Sequence, residues 1–241
     1  AIKPILFNTE MVRAILDGRK NVTRRVIKPQ PDPSEELFYI YAAGRKSDIG
    51  KWQSRTPGRN WIPPFHAGDI LYVRETWQYA YDLDGNERII ENTGRYLYAA
   101  DGPAPFNIWI TPDGDYRDTM PWRPSIHMPK EAARIFLRVV RVSVEHLNQM
   151  EVADYIKEGT RPRYFKKDGC RCVAYTDNCE NEPCPNRDAY ETLLYSLPFS
   201  EIWDSTIKRD DKIVYGYTAN PWVWVIDFEQ ISRDEAMSLA K

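Results

Sequence analysis

The sequence predicts an α+β fold, mainly β, built as a small, partly closed β-barrel decorated by short helices and lengthened by loop insertions. Three observations carry this. Stretches rich in β-branched and aromatic residues recur at 70–77, 95–100, 135–144 and 222–228. Helical patterns between them are few and short, and strands mixed with few helices favour a decorated barrel over a layered α/β sheet. Aromatic residues make up 13% of the chain, with 8 Trp and 15 Tyr, as suits a β-rich core or a surface that stacks planar ligands.

Along the chain, residues 5–8 read as a short strand. Thr9 then N-caps a helix with Met11, Val12, Ile15 and Leu16 on one face, and Gly18 ends it. Residues 22–27 are extended, with Thr23 and Arg25 on one side and Val22 and Arg24 on the other. The proline-rich run at 28–33 stops this strand, and 28–66 reads as a loop-like insertion. Residues 70–77 form one strand, 78–94 a hairpin tip around Asp84-Gly85-Asn86, and 95–100 the returning strand. A second insertion fills 101–121. One helical turn at 132–134 precedes the valine-rich strand 135–144, and 151–158 is a short helix closed by Gly159. A third, cysteine-bearing insertion covers 160–188. A helix over 189–207 is interrupted at Pro198, 222–228 is the last strand, and residues 231–241 form a helical tail after a single domain spanning 1–230.

Net charge is -2 and mean hydropathy is -0.60. The chain is therefore no general polyanion coat, and any nucleic-acid binding must come from a local patch. No apolar run approaches a membrane span and no leader is evident, so the expected location is cytoplasmic, with no membrane partner.

One such patch stands out. Gly18-Arg19-Lys20-Asn21-Val22-Thr23-Arg24-Arg25 packs four cations and a hydroxyl behind the first helix, with Arg13 and Lys28 nearby. A glycine-led cationic turn can hold an anion against backbone N–H groups, while neighbouring positive charges lower the pKa of Lys20. Read for binding, Arg19, Lys20, Arg24 and Arg25 make a phosphate-sized pocket. Read for structure, they are a solvated edge strand guarded by charge. Thr23 is a nucleophile only beside a base, and Lys20 is that base only if held neutral.

The turn Gly18-Arg19-Lys20-x-x-Thr23-x-Arg25 resembles the signature of the ASCH family, which implies a PUA-like barrel. Segments 68–77, 122–129, 153–159 and 220–226 resemble, in order, those of larger phage and prophage members. The resemblance implies binding of RNA, DNA or a modified nucleoside or nucleotide in a bacterial host cell. It also implies two enzymatic alternatives: an amidohydrolase that removes an acyl group from N4-acetylcytidine-type substrates, and a ribonuclease. The amidohydrolase's Lys, Thr and Glu fall on Lys20, Thr23 and Glu158, with Glu75 an alternative carboxylate. Arg25 or backbone N–H groups of the turn would steady the oxyanion. The polar turn at 122–129 offers His127 a substrate-facing role, against the default of a structural histidine. A phage accessory protein acting through a protein partner is a third reading.

Cys170, Cys172, Cys179 and Cys184 are the only cysteines, all within one short window. In a cytosolic protein such clustering reads as a four-thiolate structural zinc site, with four free thiols as the alternative; no organic cofactor is expected. A zinc deaminase is set aside, because His66, His127 and His146 are followed two places on by Gly68, Pro129 and Asn148, never by Glu. Trp222, Trp224, Ile226 and Phe228 share a strand face and read as core rather than as a stacking platform.

Overall fold

The computed structural model describes residues 2–32, 37–39, 51–54, 60–86, 88–103, 109–110, 116–117, 121–163 and 187–240. In chain order its elements are β1 (Ile2–Leu6), α1 (Thr9–Leu16), β2 (Val22–Val26), β3 (Leu37–Tyr39), β4 (Trp52–Ser54), β5 (Asn60–Trp61), β6 (Ile70–Arg74), β7 (Trp77–Ala80) and β8 (Arg95–Tyr98). They continue with β9 (Trp109–Ile110), β10 (Tyr116–Arg117), β11 (Phe136–His146), α2 (Val152–Lys157), α3 (Arg187–Thr206), α4 (Lys212–Tyr215), β12 (Trp222–Ile231) and α5 (Arg233–Leu239).

The fold is α+β and mainly sheet. Its largest sheet is mixed, in the order β1-β6-β11-β12-β2, with β1 parallel to β6. That order is open, with β1 and β2 at its edges, so no closed barrel forms among the described residues. The chain divides into two compact units, each discontinuous in sequence. The first comprises Ala1–Gly18, Gly68–Val139 and Glu229–Lys241, and the second Arg19–Ala67 and Val140–Phe228.

In the first unit β6 is flanked by β1 and by the start of β11, which explains its unbroken buried run from Ile70 to Val73. The predicted strand 70–77 stops at Arg74, and Trp77 begins a separate hairpin strand that pairs with β8. Tyr72, Trp77, Met128 and Phe136 pack there with Ile231 and Ala236, so the expected tail from 231 belongs to a core. Helix α1 is capped by Asn8, whose side chain accepts from Met11 N at 2.8 Å, one residue before the expected Thr9.

In the second unit β2 runs antiparallel to β12, with Thr23 opposite Ile226 and Arg25 opposite Trp224. Val22, Val223 and Val225 face Leu147, Tyr155, Phe199 and Trp203 in its core. The insertion at 28–66 is not all loop: β3, β4 and β5 form a three-stranded antiparallel sheet, and Trp61 Nε1 donates to Pro29 O at 2.8 Å. Pro198 does not interrupt α3. Proline brings no N–H to the carbonyl four residues back, and Arg163 N donates to that carbonyl, Leu194 O, at 2.8 Å. An outside donor fills the gap that the proline leaves.

Candidate functional site

Helix α1 ends at Gly18, whose φ of +71° lies in the left-handed region that glycine adopts at little cost. Beyond it, within the second unit, Lys20 forms an antiparallel bridge with Glu158. Asn21 N donates to Lys157 O at 3.0 Å, and Asn21 O accepts from Phe228 N at 2.8 Å. These backbone bonds hold the cationic turn to the C-terminal end of α2 and to β12.

The side chains then close a buried ion cluster. Lys20 Nζ donates to Glu158 Oε2 at 2.5 Å, to Glu158 O at 3.0 Å and to Val22 O at 2.8 Å. Its side chain is 0% exposed and that of Glu158 4%. Arg24 donates from Nη1 to Glu158 Oε1 at 3.2 Å and from Nε to Glu145 Oε1 at 2.6 Å, with Asp154 Oδ1 3.7 Å from Nη2. Arg19 Nη1 donates to Gly159 O at 2.7 Å.

Burial pulls the Lys20 pKa below its usual value, Arg25 and Arg24 push the same way, and Glu158 opposes them. Burial would also depress Arg24, but Glu158 and Glu145 outweigh it and hold Arg24 above the ordinary arginine value. Arg25, half-buried, is lowered by desolvation against the pull of Glu158. Glu145 is raised by burial despite Arg24, with Asp154 and Glu158 adding to the rise.

Thr23 is buried on the same strand, with no hydrogen bond joining its hydroxyl to Lys20 among the described residues. The structure therefore brings Lys20 and Glu158 into contact from 138 residues apart and sets Thr23 three residues along the chain from Lys20. A fully open cationic pocket is not formed: Lys20 and Arg24 turn their charge onto carboxylates.

Glu75 belongs to the first unit, where it has a different partner. Arg134 grips it with two bonds, Nε to Oε1 at 2.9 Å and Nη2 to Oε2 at 3.0 Å. Arg134 also donates to Asp101 Oδ2 at 2.9 Å and lies 3.9 Å over the Tyr98 ring. Burial raises the Glu75 pKa, with Arg134 opposing. His127 is exposed at the end of a 3-10 turn, Ser125–His127, and its backbone N donates to Pro124 O at 3.1 Å. Cys170, Cys172, Cys179 and Cys184 lie outside the described residues.

Sequence reasoning missed Glu145, Asp154 and Arg134. For Glu145 the only available signal was a charge directly after the predicted valine-rich strand 135–144; for Asp154, its place one helical turn before Glu158. Comparison with family models, curated proteins and solved structures finds nothing that matches this chain.

Proposed function

We propose that this chain is an ASCH-like, PUA-like protein whose Lys20, Thr23 and Glu158 hydrolyse the amide of an N4-acylated cytidine-type base or nucleoside. The observation that carries the reading is the 2.5 Å contact between Lys20 Nζ and Glu158 Oε2, formed out of solvent. A phosphate cradle asks for cations free to meet a ligand, and two of the four candidates here are spent on carboxylates. A buried lysine with a lowered pKa and a titratable partner is instead what proton-transfer chemistry requires.

Burial disfavours the charged form of Lys20, so its proton leaves more readily here than in water, with the Glu158 carboxylate in contact to receive it. Neutral Lys20 then takes the hydroxyl proton of Thr23 as Oγ bonds to the acyl carbon. Arg25 or backbone N–H groups of the turn stabilise the oxyanion. As the C–N4 bond breaks, Lys20 returns the proton to the leaving amine. Water, deprotonated by Lys20, adds to the acyl carbon of the threonyl ester; as the C–Oγ bond breaks Lys20 returns that proton to Thr23 Oγ, and the carboxylic acid leaves.

The test is to incubate the protein with N4-acetylcytidine and follow cytidine release for wild type, Lys20→Ala and Thr23→Ala. Turnover by wild type that both substitutions abolish is the expected result; an inert wild type overturns it. A second reading, binding without turnover, is favoured by the three acceptors around Lys20 Nζ, which suit an ammonium ion. It predicts an inert protein that retains RNA or nucleotide in a salt-sensitive way. The cysteine cluster adds a structural Zn2+ to the proposal. Protein purified without added zinc should carry about one equivalent, and a folded, metal-free sample would dismiss the site.

A further inference from the structure

The face of β2 that carries Thr23 and Arg25 is also an aromatic face. Residues directly opposite in an antiparallel pair project to the same side of the sheet. Arg25 is opposite Trp224 and Thr23 is opposite Ile226, so these four share one side of the second unit. Trp224 then meets Trp52 of β4 edge-on, with ring centroids 6.2 Å apart at 66°. Trp52 in turn meets Tyr39 of β3 at 5.5 Å and 61°. A chain of three rings thus leads from the strand of the proposed nucleophile to the small sheet β3-β4-β5.

The rings differ in exposure. Trp224 is 4% exposed and belongs to the core, whereas Trp52 and Tyr39 are only half-buried. Trp224 braces; Trp52 retains ring surface to offer. Trp52 also carries an unmet hydrogen-bonding demand, which it shares with the buried indoles of Trp77 and Trp222. Its indole Nε1 is buried and has no hydrogen-bond partner among the described residues. A buried donor left unpaired is costly, and a ligand acceptor would remove that cost. By contrast, the indole of Trp61 in the same small sheet is satisfied by Pro29 O.

We infer that Trp52, braced by Trp224 and Tyr39, is the stacking residue for the planar ring of a pyrimidine nucleoside, with its in-plane Nε1 donating to a ribose oxygen beside that ring. The inference rests on the proposed site at Thr23 and names the substrate class which that site receives. Arg25 shares that side of β2 with Thr23 and feels the charge of Glu158.

The probe is cytidine, the product, whose binding needs no chemistry. Its dissociation constant is measured by calorimetry for wild type, Trp52→Phe and Trp52→Leu, with folding checked by circular dichroism. Loss of a stacking ring weakens binding roughly 5- to 150-fold, so Trp52→Leu should fall in that range. Trp52→Phe keeps the ring and loses the donor, and should lie between. Cytidine binding unchanged in a folded Trp52→Leu, or absent from wild type, overturns the inference. Trp52-dependent binding without N4-acetylcytidine turnover supports the stacking role while rejecting the amidohydrolase. Turnover that depends on Lys20 while cytidine binding ignores Trp52 rejects the stacking role alone.

Discussion

Each compact unit buries a glutamate against an arginine, and the two arrangements differ in one decisive way. Glu75 of the first unit is held by Arg134 alone through a two-pronged grip, with Asp101 and the Tyr98 ring saturating the rest of the guanidinium. Glu158 of the second unit divides its carboxylate between Arg24 and Lys20. Arginine does not surrender its proton in a protein, whereas a buried lysine can. The first cluster is therefore a fixed fastening. The second contains a lysine whose charge burial disfavours, so a buried glutamate points to chemistry only when its partner titrates.

The largest contrast should come from removing each carboxylate's charge. Glu158→Gln leaves Lys20 and Arg24 facing an amide inside the second unit, a loss of about 3–5 kcal/mol on urea unfolding. Glu75→Gln strands a single arginine that water partly reaches, and about 1–3 kcal/mol is expected. Equal losses would erase the distinction.

A smaller effect separates the clusters by pH. The folded pKa of Lys20 is lowered, chiefly by burial, so between that value and the usual 10.5 the unfolded chain binds more protons. Stability of wild type relative to Lys20→Met should rise with pH across that window. The folded pKa of Glu75 is raised, again chiefly by burial, so above the usual 4.5 the folded chain binds more protons. Wild type relative to Glu75→Gln should lose stability as pH climbs from 4.5 through the raised value. Urea titrations across pH read both slopes, and slopes of the same sign would break the comparison.

Much of this was legible in local sequence. The strand at β6, the hairpin around Asp84-Gly85-Asn86 and the end of α1 at Gly18 follow from periodicity and turn chemistry, which act over a few residues. Lys20 and Glu158 were paired in advance only through a family resemblance, because no local rule links residues 138 apart. Glu145 and Asp154 escaped for the same reason: their role exists only once β11 and α2 have packed beside Arg24. The division into two units was hidden as well, since each is assembled from separated stretches of chain. Asn8 was a lesser miss. Asparagine and threonine are both good caps, and neighbouring candidates shift a boundary by one residue.

Pro198 shows how an absence can be inherited. Any of the other nineteen residues would bring an amide hydrogen to position 198 and turn it toward Leu194 O, the acceptor now taken by Arg163 N. The chain from Gly159 to Arg163 follows directly on Glu158, so that acceptor moors the strand of backbone trailing from the proposed catalytic carboxylate. A mutation from proline to an excellent helix former would improve α3 by every local measure and still cast loose the stretch that steadies Glu158.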